Sequence, residues 1–185
     1  MTSQTRSSGP RSRSSDLALR LRPLRGDDEA AYRSALAVMA AEGFAFGFGL
    51  EPGVQWSAAL QTLDERRRGL KLSPDQVPAT FLVADVGGTI VGRAHLRHQL
   101  NDFLYREGGH IGYCVLPTYR RRGYATEILR QSLTVIRAIG VGRVLLTCDD
   151  DNAGSIAVIE RCGGELDSVT SASPSEPPKR RYWID

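Results

Sequence analysis

Seven consecutive residues, Arg120-Arg121-Arg122-Gly123-Tyr124-Ala125-Thr126, combine three guanidinium groups, a glycine and the opening of an apolar-periodic segment. A helix that starts here presents its first backbone N–H groups without partners. An anion at that spot gains from those donors, from the positive end of the helix dipole and from neighbouring arginines. Gly123 permits close approach of the backbone, and small Ala125 keeps the path to it clear. Charge-assisted hydrogen bonds contribute roughly 1.5–3 kcal/mol each, so several converging donors suffice to anchor a pyrophosphate. The same residues also suit a solvated basic turn in front of an ordinary helix, and the flanking sequence weighs against that reading. His110 to Val115 is a strand-like run that breaks at Pro117, and Ile128, Leu129, Leu133 and Ile136 then fall on one helical face.

This combination resembles the GCN5-related N-acetyltransferase (GNAT) family, whose acetyl-CoA motif is Q/R-x-x-G-x-G/A after a strand ending near Val-x-Pro. Arg120, Gly123 and Ala125 fill the motif. A strand-turn-strand before it, the strand VGRVLLTCDDD after it and a helix opening Asn152-x-x-Ser155 agree in order, so the resemblance covers Leu17 to Asp185. It implies an enzyme, an acyl-CoA-dependent N-acyltransferase that moves an acetyl group from acetyl-CoA to a primary amine by direct attack. The alternative is a non-catalytic acyl-CoA-binding or regulatory domain. On the same ground the backbone of Tyr113, Cys114 and Val115 is expected to pair with pantetheine, and Arg120, Arg121, Arg122, Gly123, Tyr124, Ala125 and Thr126 to hold the diphosphate. Asn152 and Ser155 belong to the same cofactor set, Asn152 either touching pantetheine or capping its helix.

An alkylammonium with a pKa of about 10.4 is almost wholly protonated at neutral pH, so the acceptor must lose a proton before it attacks. His110 is the candidate base by type, because an ordinary imidazole titrates near 6.5, and it occupies the early cofactor-strand position where some GNAT members carry a glutamate. His95, His98 or a water relay are alternatives, and a strand histidine can also be purely structural. Asp149, Asp150 and Asp151 fit helix capping, a cationic substrate or solvation. The family's helix tyrosine, which protonates the departing thiolate, is missing: Ile159 stands at that spacing and Gly163-Gly164 replaces the common Gly-Phe. Tyr113, Tyr119, Tyr124, Tyr182 or water are left as proton donors. The resemblance places the acceptor near Glu42, Phe44, Phe46, Phe48, Glu51, Trp56, Asn101, Asp102 and Tyr105, aromatic residues with acids that suit an amine, although the phenylalanines also suit a core.

The elements that must position these groups follow from periodicity and punctuation. A strand is expected at Leu17–Leu24, a helix after Gly26-Asp27-Asp28 with Tyr32, Leu36 and Met39 on one face, and a second helix over Val54–Leu70. Thr80–Val86 and Thr89–Leu96 form a hairpin about Gly87-Gly88, and the loop LNDFLYREGG leads into a strand at His110–Val115. Helix Gly123–Ile139, strand Arg143–Cys148, helix Asn152–Arg161, strand Glu165–Val169 and a last strand at Arg181–Ile184 complete the order. The fold class is α/β: a GNAT-like mixed, mostly antiparallel sheet with helices on both faces and a splayed parallel strand pair at the acyl-CoA site.

With 185 residues, 41% of them hydrophobic, the chain can bury one sizeable core. Residues 1–15, rich in Arg and Ser, are expected to form a disordered tail before a single acyl-CoA N-acyltransferase domain over 16–185. Three of the 24 Lys+Arg lie in that tail, leaving 21 against 21 Asp+Glu, so the formal +3 belongs to the tail and argues against a nucleic-acid module. No apolar run is long enough to span a bilayer, and three scattered cysteines match neither a disulfide framework nor a zinc spacing. A cytoplasmic setting, no metal, no nucleic-acid or membrane partner and a small-molecule or peptide amine acceptor are expected; a homodimer stays open.

Overall fold

The computed structural model describes residues 18–47, 53–171 and 178–185. The tail at 1–15, the start of the first strand at Leu17, and Phe48 and Glu51 lie outside these. Seven strands and four α-helices follow in the order β1 (Arg20–Arg22), α1 (Glu29–Ala40), α2 (Trp56–Arg67), β2 (Ala79–Val86), β3 (Thr89–Arg97), β4 (Ile111–Val115), α3 (Tyr124–Ile139), β5 (Val144–Asp149), α4 (Ala153–Arg161), β6 (Glu165–Thr170) and β7 (Lys179–Ile184). They form two antiparallel sheets, β1-β2-β3-β4 and β5-β7-β6.

Alternation along β2 and β3 sends their side chains into two cores. Leu82, Ala84, Ala94 and Leu96 face α3, where Ile128, Leu129, Leu133 and Ile136 are buried, together with Leu146, Ile159 and Tyr182 of the second sheet. Phe81 and Val83 face the other way, onto Tyr32, Ala35 and Met39 of α1 and onto Phe46. Helices therefore cover both faces. Each fully buried Leu or Ile contributes roughly 1.5–3 kcal/mol, enough for these two layers to fix the register of β3 against β4.

The two sheets meet where β4 and β5 begin. His110 N–H donates to Leu145 O at 2.7 Å, and Leu145 N–H donates to His110 Nδ1 at 2.9 Å. The clasp joins the start of each strand, and the two share no ladder beyond it. Gly109, at φ 62, makes the close approach possible, since a Cβ there would stand 2.6 Å from Leu145 O.

Two expectations need correction. The first strand is shorter than Leu17–Leu24 because Pro23 has no N–H to continue the ladder. The loop LNDFLYREGG holds a π-helical turn, Leu104–Gly108, closed by Gly109 N–H on Leu104 O at 2.6 Å.

Candidate active site

Every group at the cofactor end is set by one short stretch of chain. Pro117–Tyr119 forms a 3-10 turn after β4, Arg121 and Gly123 both take positive φ (64° and 80°), and α3 begins at Tyr124. The first bond within the helix is Glu127 N–H to Gly123 O, and among the described residues the amides of Gly123, Tyr124, Ala125 and Thr126 have no acceptor. Those four donors, at the positive end of a 16-residue helix, form a cradle suited to a diphosphate. A Cβ on Gly123 would meet nothing within 4 Å, so the space in front of the cradle is open. Arg120 ties the turn to the strand through Nε on Val115 O at 3.2 Å. Arg122 donates to Thr118 O and lies over the Tyr119 ring.

Past the clasp the gap between β4 and β5 is spanned by side chains. Tyr113 OH meets Ser155 Oγ at 3.1 Å, linking β4 to the start of α4. Asn152 caps that helix, its Oδ1 accepting from Ser155 N–H at 3.0 Å. Burial pushes the Tyr113 phenol up to about 12, so it is a neutral proton donor at physiological pH. Ile159 is completely buried in the core, and no proton donor stands on that turn of α4.

His110 is 7% exposed. Its Nδ1 lone pair accepts the Leu145 amide, which puts the ring proton on Nε2, so protonation requires breaking the clasp. Burial, and then the Arg97 guanidinium, push the imidazole down to about 4. His95 is also buried, and burial with Arg97 and Arg93 drives it well below the ordinary range. His98 Nε2 meets Thr80 Oγ1 at 2.8 Å.

The residues assigned to the acceptor are not brought together as one wall. Glu42 pairs through both carboxylate oxygens with Arg120 of the cofactor turn. Phe46 is 1% exposed and belongs to the core under α1, whereas half-buried Trp56 packs its tilted ring on Tyr32 and also lines a surface cavity with Arg33 and Val54. Asn101 spends its amide on Asp75 O and its carbonyl on Leu104 N–H, pinning the π turn. Tyr105 lies on that turn between Trp183 and Arg181, and Asp102 is exposed at its start. Asp149 pairs with Lys179 and Asp150 with Arg180, away from the helix cap. The sequence reading did not single out Arg93 and Arg97, although their period-two spacing with His95 in RAHLR puts all three on one strand face.

The sequence profile of the acetyltransferase (GNAT) domain matches residues 18–165, and the chain belongs to that family. It is accordingly an acetyltransferase of that family. No curated protein matches it. Among solved structures, the microcin C7 self-immunity acetyltransferase MccE, in complex with acetyl-CoA and AMP, is similar at 15% identity and a TM-score of 0.62 over 90% of this chain and 91% of that one. RimL, the ribosomal L7/L12 alpha-N-protein acetyltransferase in complex with coenzyme A, has 15% identity and a TM-score of 0.62 over 90% and 93%. Mutant forms of the spermidine/spermine N-acetyltransferase SpeG from Vibrio cholerae have 13% identity and a TM-score of 0.61 over 90% and 92%.

Proposed function

We propose that the protein acetylates a primary amine by direct attack on the thioester, with the diphosphate of acetyl-CoA held by the amides of Gly123 to Thr126 and its pantetheine along Tyr113–Val115. The observation that carries this reading is the run of four unpartnered amides opening beside the Tyr113–Ser155 link. Bound acetyl-CoA supplies the thioester. The neutral amine attacks the carbonyl carbon, the C–S bond breaks, and the ammonium proton goes to water.

Tyr113 OH donates its proton to the departing sulfur and is resupplied through Ser155 Oγ. This takes over the task of the tyrosine that Ile159 replaces. His110 acts as the clasp that holds β4 and β5 together at one end so that they part at the other. It is not the base, because its only basic nitrogen is bonded to Leu145 N–H. The three free cysteines suit a reducing, cytoplasmic setting.

A thiol-release assay with acetyl-CoA and a panel of amino acids, peptides, polyamines and aminoglycosides tests the reading. Amine-dependent release supports it. Stabilisation of the fold by CoA with no release for any amine would identify a binding domain instead.

A further inference from the structure

On the face of β3 that turns toward α1 and the π turn, Arg93, His95 and Arg97 follow one another at period two. The β4 residue opposite His95 is Gly112. A Cβ built there would stand 3.4 Å from Arg93 Nη1, 3.7 Å from Arg97 Nη2 and 3.9 Å from Arg97 Nη1. Two guanidinium groups thus converge over a bare patch of β4, one residue before the stretch assigned to pantetheine.

Arg93 is the framework member of the pair, donating to Phe46 O, Gly112 O and Ala45 O. Arg97 is less committed. Its Nη1 donates to Gly108 O at 2.6 Å and Gly109 O at 3.0 Å, while Nε and Nη2 reach no acceptor and no carboxylate pairs with it among the described residues. Burial and the neighbouring Arg93 charge lower its pKa to about 10, and a bound anion would offset both. Three of the acids that would attract a bare polycation are engaged elsewhere, Glu42 on Arg120, Asp149 on Lys179 and Asp150 on Arg180, which leaves exposed Asp102 at the start of the π turn.

We propose that Arg97, supported by Arg93, forms an oxyanion subsite on the acceptor side, so that the acceptor is an amine carrying a carboxylate or phosphate a few bonds from its amino group. Nη2 of Arg97 is the free donor, and Gly112, with no side chain of its own, lets both guanidinium groups lie against β4 one residue before the stretch assigned to pantetheine. The proposal rests on the acetyl-transfer reading above and names its substrate class.

Matched amines test it in the thiol-release assay: tyrosine against tyramine for the carboxylate, and phosphoethanolamine against ethanolamine for the phosphate. At least one member that carries the anionic group should exceed its partner without it at least tenfold in kcat/KM, and which pair shows the gap identifies the anion. Arg97→Gln keeps a donor for the Gly108 carbonyl but removes the charge, and should cut that ratio at least tenfold. Arg97→Lys keeps the charge and should retain most of the preference; it also serves as the test if the glutamine variant does not fold. Transfer that favours tyramine and ethanolamine, or a ratio unchanged in folded Arg97→Gln, overturns the subsite while leaving acetyl transfer standing. No transfer to any amine, with CoA still raising the melting temperature, overturns the transfer reading and the subsite with it.

Discussion

The proposed cofactor end and the proposed acceptor side of this molecule are built on opposite plans. At the cofactor end, residues 113–126 are contiguous, and the strand end, the turn and the helix N-terminus come from one run of chain with Asn152 and Ser155 close by. On the acceptor side, Arg93 bonds to residues 45, 46 and 112, and Arg97 to residues 108 and 109. The difference teaches where tolerance lies: the cradle is local backbone geometry and can be destroyed without touching the core, whereas the acceptor side is held together by long-range bonds and its variants will affect stability as well.

Gly123→Val separates the two most sharply. A β-branched residue at φ 80° is strained and fills the space before the amides, although its Cβ meets no other atom within 4 Å. Losing two charge-assisted bonds of roughly 1.5–3 kcal/mol each should weaken CoA binding by at least ~100-fold in a folded protein. Calorimetric titration beside circular dichroism checks this, and unchanged affinity places the diphosphate elsewhere.

Tyr113→Phe should act on turnover alone. A thiol of pKa near 8.5 is a fair leaving group, so losing its proton donor is expected to lower kcat by about tenfold, with KM for acetyl-CoA unchanged. A rise in KM without loss of kcat would make Tyr113 a binding residue only.

His110 gives the smallest effect on chemistry and a measurable one on stability. Its folded pKa, about 4, lies below the ordinary 6.5, so the unfolded chain binds more protons between those values. Stability conferred by the neutral clasp is therefore present above pH 6.5 and is lost as pH falls toward 4, by up to about 3 kcal/mol for this group. Buried His95 acts in the same direction. Melting curves from pH 7.5 to 4 should show a shallower acid decline for His110→Gln, which keeps an acceptor but does not titrate. His110→Ala leaves the Leu145 amide without a partner and should cost about 1–3 kcal/mol at neutral pH. The pH–rate profile of either variant should keep its acid limb; loss of that limb would restore His110 as the base.

Much of the fold was legible because its signals are local. The alternation on either side of Gly87-Gly88 gave the hairpin, and the apolar stripe from Ile128 to Ile136 gave α3. The open amides at the start of α3 were legible for the same reason, as a strand, a glycine turn and a helix start in sequence. His110 was not, because its role depends on an amide 35 positions away on β5. Glu42 and Phe46 were read by residue type as acceptor groups, and only the fold shows one paired with Arg120 and the other buried beneath α1. The π turn left no periodic trace, since besides its closing bond from Gly109 N–H to Leu104 O it is held by Asn101, Arg97 and Thr147 from outside.

The most direct test of the account is a calorimetric comparison of CoA with pantetheine, which keeps the thiol arm and lacks the diphosphate. If the amides of Gly123 to Thr126 are the cradle, pantetheine should bind the wild-type protein at least ~100-fold more weakly than CoA, and Gly123→Val should bring the two affinities close together. Equal affinities in the wild type, or a gap that survives in folded Gly123→Val, would contradict it.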